Sequence, residues 1–80
     1  MPRFHLHIHN HLGETRDEEG SVFADLDIAH LKAIEGIRSF LSAELLEGKL
    51  DLRGHLDIAD EAGAVLERID FHEAVIICDA

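Results

Sequence analysis

Residues 4–9 read Phe-His-Leu-His-Ile-His, apolar and imidazole side chains in strict alternation. A repeat of two belongs to an extended strand, whose successive side chains point to opposite faces. One face of this strand is therefore apolar and buried, and the other carries His5, His7 and His9. His9-Asn10-His11-Leu12-Gly13 reads as the strand end and a turn, and Glu14–Gly20 as a polar, acidic loop closed by Gly20. Ser21-Val22-Phe23 predicts a short second strand, paired with the first as a hairpin.

The apolar face needs a cover, and the next segment supplies one. Asp25 reads as a helix N-cap, and Asp27 places negative charge in the first turn, where the helix dipole favours it. Leu26, Ala29, Ala33, Ile37, Leu41 and Leu45 follow at helical spacing, widened by Ile34 and Phe40, which predicts an amphipathic helix of about six turns. Gly48 fits the left-handed position past its end, with Lys49 at the negative end of the dipole. Gly36, inside the helix, costs about 1 kcal/mol relative to Ala and reads as a point of close packing on the sheet.

Beyond the helix, Leu50 and Leu52, then Leu56 and Ile58, alternate with polar residues. Asp60-Glu61-Ala62-Gly63 is a tight turn, with Gly63 able to take a positive φ, and Ala64–Asp70 is the return strand. Phe71, Ala74 and Val75 have the spacing of a single helical turn, although Val75-Ile76-Ile77 reads equally well as a last strand. The expected fold is α+β: a small antiparallel sheet of three to four strands, one long amphipathic helix packed on one face, order β-β-α-β-β, in a single domain over residues 1–80. One helix covers one face, so the other must be polar or be covered by a second molecule.

The ordered set Met1-Pro2-Arg3-Phe4, His7, Asp17-Glu18-Glu19-Gly20, Asp25-Leu26, Lys49-Leu50-Asp51-Leu52, Asp60-Glu61-Ala62-Gly63 and Phe71-His72-Glu73-Ala74-Val75 resembles a domain-of-unknown-function family of short alphaproteobacterial proteins. The resemblance spans nearly the whole chain and implies a small stand-alone α+β domain; it brings no established activity. His5, His9 and His11 make this strand richer in histidine than is usual in that family.

Composition narrows the function classes. The 80 residues include 17 acidic and 7 basic side chains, for a formal charge of −10, yet 46 % are apolar, too many for a disordered chain of that charge. The acidic balance, with Arg3, Arg16, Lys32, Arg38, Lys49, Arg53 and Arg68 scattered, excludes nucleic acid and anionic membrane as expected partners. No run approaches the ~18 apolar residues that span a bilayer. The opening residues have no apolar signal region, and Cys78 is a lone cysteine, so a reducing, cytoplasmic setting is expected. Cys78 itself reads as a small apolar side chain.

Chemistry concentrates in the first strand. On an extended chain His5, His7 and His9 lie ~6.6–7 Å apart on one face, and two imidazoles at i and i+2 can reach one divalent ion. Neutral imidazole suits Zn, Ni or Cu. The candidate metal ligands are thus His5, His7, His9 and His11, with His55 and Asp57 as extra ligands if they share that face. The same residues also read as a solvated sheet face, a homodimer seam, or a proton switch weakened by repulsion near pH 6. Asp17-Glu18-Glu19 lacks the spacing of a calcium loop, and His30 and His72 read as lone histidines, at the surface or partly buried. Ser21, Ser39 and Ser42 form no nucleophile elbow, Cys78 is poorly placed to be preorganised, and no glycine-rich loop cradles phosphate. No enzyme and no obligatory cofactor are expected. The leading expectation is a small acidic cytosolic interaction module that self-associates or docks on a protein through the uncovered sheet face. The alternative is a divalent-metal-binding protein built on the His-x-His-x-His strand.

Overall fold

The computed structural model describes residues 2–79. Its elements are β1 (Arg3–Asn10), β2 (Gly13–Thr15), β3 (Ser21–Val22), α1 (Leu26–Leu45), β4 (Gly54–Ala59), β5 (Val65–Asp70) and a 3₁₀ turn, Phe71–Ala74. The sheet runs β2-β1-β4-β5, with β3 also paired to β1, and every pairing is antiparallel. This is the expected α+β arrangement with one more strand than predicted: β2 forms inside the segment read as turn and loop. It pairs Asn10 with Gly13 and His9 with Glu14 across a two-residue connection, held by the Asn10 carboxamide accepting from the Leu12 amide at 2.9 Å. The last residues split the two readings given for them: 71–74 make one 3₁₀ turn, and 75–79 join no strand.

Helix α1 begins where the Asp25 carboxylate accepts from the Ile28 amide at 2.9 Å. It ends in a Schellman arrangement, Gly48 N to Leu45 O at 2.9 Å and Lys49 N to Glu44 O at 3.2 Å, with Gly48 at φ +88°. Its buried stripe is Ala29, Ala33, Ile37 and Leu41. At about 1.5 Å per residue, twenty helical residues outrun the six-residue strands beneath. Leu26 and Leu45, at the two ends of the predicted stripe, accordingly stay exposed. The small Ala29 and Ala33 let the helix approach the sheet closely, over Phe4, Leu56, Ile58 and Ile69.

Phe71 closes the core from the far end. It is fully buried, with its ring 5.6 Å from that of Phe40 on α1. Arg38 on α1 donates to the Ala74 carbonyl at 2.7 Å and fixes the turn against the helix. The β4–β5 hairpin turns at Asp60, whose carboxylate accepts from Ala62 N and Ala64 N, both at 2.9 Å. A register shift at Ile58/Ala59 leaves Leu66 as the extra residue of a β-bulge, and Val65 and Leu66 are both exposed.

Two glycines mark opposite situations. Gly54 begins β4 at φ +141°, where a Cβ would meet the His9 carbonyl oxygen and come within 2.7 Å of the Phe71 ring. Gly36 faces the sheet with only Leu56 Cδ1 nearby, at 4.0 Å, so there is room for a methyl group. Gly36→Ala should raise stability by about 0.5–1 kcal/mol, and Gly54→Ala should destabilise by about 2 kcal/mol or more. Denaturant melts of the two variants check both signs; a destabilising Gly36→Ala would show that the helix sits closer to the sheet than described.

Candidate metal centre

The antiparallel register decides which polar side chains meet on the outer face. β1 presents His5, His7 and His9; β4 presents His55, Asp57 and Ala59 opposite them, pairing His9 with His55 and His7 with Asp57. β5 continues the rows with Asp70 beside His55 and Arg68 beside Asp57, and β2 brings Glu14 beside His9. The face that α1 leaves uncovered is therefore polar along the two central strands.

Its histidines divide into two groups. At the N-terminal half of β1, residue 17 crosses over the strand. Its carbonyl oxygen lies 2.7 Å from His5 Nδ1, and its amide donates to His7 Nδ1 at 3.0 Å. A carbonyl only accepts, so His5 carries its proton on Nδ1. An amide only donates, so His7 Nδ1 is unprotonated and the neutral ring holds its proton on Nε2. The Asp17 carboxylate meanwhile accepts from Leu6 N and Gly20 N, both at 3.1 Å, satisfying the edge of β1 between β2 and β3. The His5 and His7 rings stack with centroids 5.9 Å apart. His7 thus has neither ring nitrogen free to ligate while the Asp17 bond holds. Burial, and next the charge of Arg16, push its pKa below the ordinary 6.5 of a histidine.

At the other half the side chains converge on a point. His9 and His55 stack with centroids 4.6 Å apart. His9 Nε2 lies 3.0 Å from Glu14 Oε2 and 3.4 Å from Asp57 Oδ2, and His55 Nε2 lies 3.7 Å from that same Oδ2. One ligand atom from each of His9, His55 and Asp57 falls within 4.8 Å of the others. The ligand atoms of a tetrahedral zinc, each about 2.0–2.1 Å from the ion, lie about 3.3 Å apart. The 3.7 Å separation is too long for a hydrogen bond, and His55 Nε2 is buried without a hydrogen-bond partner among the described residues. Burial, and next the Arg68 charge, hold His55 below its ordinary pKa, which favours the neutral ring a metal requires. Asp57, almost wholly buried, stays ionised because Arg68 grips it with two bonds, Nε to Oδ1 at 2.8 Å and Nη2 to Oδ2 at 3.1 Å.

Of the ligands named from sequence, His9, His55 and Asp57 therefore come together. His5 and His7 are bound to the backbone of residue 17, and His11 turns away to Asp51, with Nδ1 3.1 Å from Oδ2. Asp51 is committed besides to Arg53, whose guanidinium holds its carboxyl well below the usual carboxylate range. Glu14 escaped the sequence reading because β2 did; the two-residue spacing from Asn10 to Gly13 was the available signal. His30, read as isolated, lies 2.9 Å from Glu67 Oε1 and links α1 to β5.

A helix laid on one face of an antiparallel sheet, with an outer face carrying a His₂-carboxylate cluster, defines a small α+β domain with a candidate metal centre. Residues 3–72 match a family described as a domain of unknown function, DUF6894, and the chain belongs to that family. No curated protein and no solved structure matches it.

Two outcomes follow from the tautomers and the burial. Long-range ¹H–¹⁵N spectra of the imidazoles should place the neutral-ring proton on Nδ1 of His5 and Nε2 of His7; the reverse assignment for His7 would remove the Asp17 bond. His7 and His55 both have folded-state pKa values below 6.5, so the unfolded chain takes up protons first as pH falls. With chelator present, stability should be undiminished by these groups above about pH 6.5 and should fall as pH drops below it. A flat profile there would contradict the burial of these rings.

Proposed function

We propose that this domain is a non-enzymatic divalent-metal-binding module, with His9 Nε2, His55 Nε2, Asp57 Oδ2 and Glu14 Oε2 as the ligands. The observation that carries this reading is the buried, unpartnered His55 Nε2 aimed at a carboxylate oxygen that His9 also faces. A buried polar atom without a partner is costly, and a cation held between the two imidazoles and the carboxylate would satisfy it. Two imidazoles and two carboxylates suit Zn, Ni or Cu rather than calcium or magnesium, which take oxygen shells. No helix among the described residues is long and apolar enough to cross a membrane, consistent with the cytoplasmic setting we propose.

Tag-free protein titrated with Zn²⁺ should bind one ion at micromolar metal. His9→Ala and His55→Ala should each abolish that binding, while His11→Ala should leave it unchanged. Binding that survives His55→Ala would sink the assignment.

A second reading, self-association, draws on a different surface from the one first expected, because the uncovered sheet face is polar. Leu45, Leu46, Leu50, Ile76 and Ile77 are all exposed near the C-terminal end of α1. Light scattering at micromolar protein should then give a dimer mass that Ile76→Glu reduces to monomer; a monomer throughout contradicts it.

A further inference from the structure

Each carboxylate of the cluster serves two partners at once. Glu14 turns Oε2 toward His9 and Oε1 toward Arg16 Nη1, at 3.1 Å. Asp57 turns Oδ2 toward His9 and His55, and Arg68 bonds both its oxygens, Nε to Oδ1 at 2.8 Å and Nη2 to Oδ2 at 3.1 Å. Two negative groups are thus each matched by a guanidinium, Arg16 on Glu14 and Arg68 on Asp57.

Resting on the metal-binding reading above, we propose that Arg68, aided by Arg16, is an internal counter-cation that lowers the affinity of the centre for its ion and keeps that ion exchangeable. Without metal, Asp57 would otherwise be a buried carboxylate with no cation against it, a costly state; Arg68 removes that cost and lets the domain fold around an unmetallated centre. An ion on Oδ2 would compete with the Arg68 Nη2 bond to that oxygen while Arg68 Nε stayed on Oδ1, so a positive guanidinium would sit one carboxylate away from a dication and oppose it. The side chains are arranged for this. Arg68 and Arg16 are each 56 % exposed and can shift toward solvent, whereas Asp57 is only 6 % exposed and cannot. Arg53, the other guanidinium near this end of the sheet, is spent on Asp51. Arg68 therefore acts through Asp57 as a positioning residue, and its charge, more than its fork shape, sets the affinity.

The experiment is Zn²⁺ affinity by competition with a chelator of known strength, for the wild type, Arg68→Gln, Arg68→Lys and Arg16→Gln, with Co²⁺ absorption reporting coordination. Arg68→Gln should bind about tenfold more tightly at low salt, with the gain shrinking as salt rises. Arg68→Lys keeps the charge and should stay near the wild type. Arg16→Gln, on the more exposed Glu14, should tighten binding by a smaller factor, and it keeps the test open if Arg68→Gln fails to fold. Equal or weaker binding by Arg68→Gln, or Arg68→Lys behaving as Arg68→Gln does, overturns the proposal while leaving the centre intact. No binding by the wild type or any variant overturns the centre itself, and this proposal with it.

Discussion

The pairing of β1 with β4 sets both faces of this domain at once. Because side chains alternate, the register that puts Leu6 opposite Ile58 and Ile8 opposite Leu56 beneath α1 also puts His7 opposite Asp57 and His9 opposite His55 on the outside. A slip of one residue would expose the apolar row and bury the imidazoles. The hydrophobic layer under Ala29, Ala33 and Ile37 therefore holds the outer cluster in place, although no side chain of α1 belongs to it.

The outer face manages its polar groups by division of labour. Residue 17 binds two imidazoles through its backbone and the β1 edge through its carboxylate. That strap converts His5 and His7 into structural hooks and assigns each a tautomer. Among the described residues, His9 and His55, beyond the strap, have no backbone partner on the nitrogens that face Asp57. What separates candidate ligand from scaffold among these chemically identical side chains is the hydrogen bond each ring already makes.

Much of the architecture was legible because it rests on short-range periodicity. The repeat of two over residues 4–9, the helical stripe from Ala29 to Leu41, the Asp25 cap and the Asp60–Gly63 turn all act within a few residues and appear as read. Strand β2 was missed because His11-Leu12 is not a favoured two-residue hairpin turn, and its three residues carry no apolar alternation. With it went Glu14. The choice among histidines was not legible at all. It depends on strands far apart in sequence, and on where Asp17 lands. Arg68 was invisible for the same reason: its partner lies across the hairpin, and a bulge stands between that pair and the turn.

The most direct measurement of the central claim is X-ray absorption at the zinc edge on the one-to-one complex. The cluster described here predicts a four-ligand first shell at about 2.0 Å with multiple scattering from two imidazoles and the remainder oxygen. A shell with three or more imidazoles, or an oxygen-only shell, would contradict it.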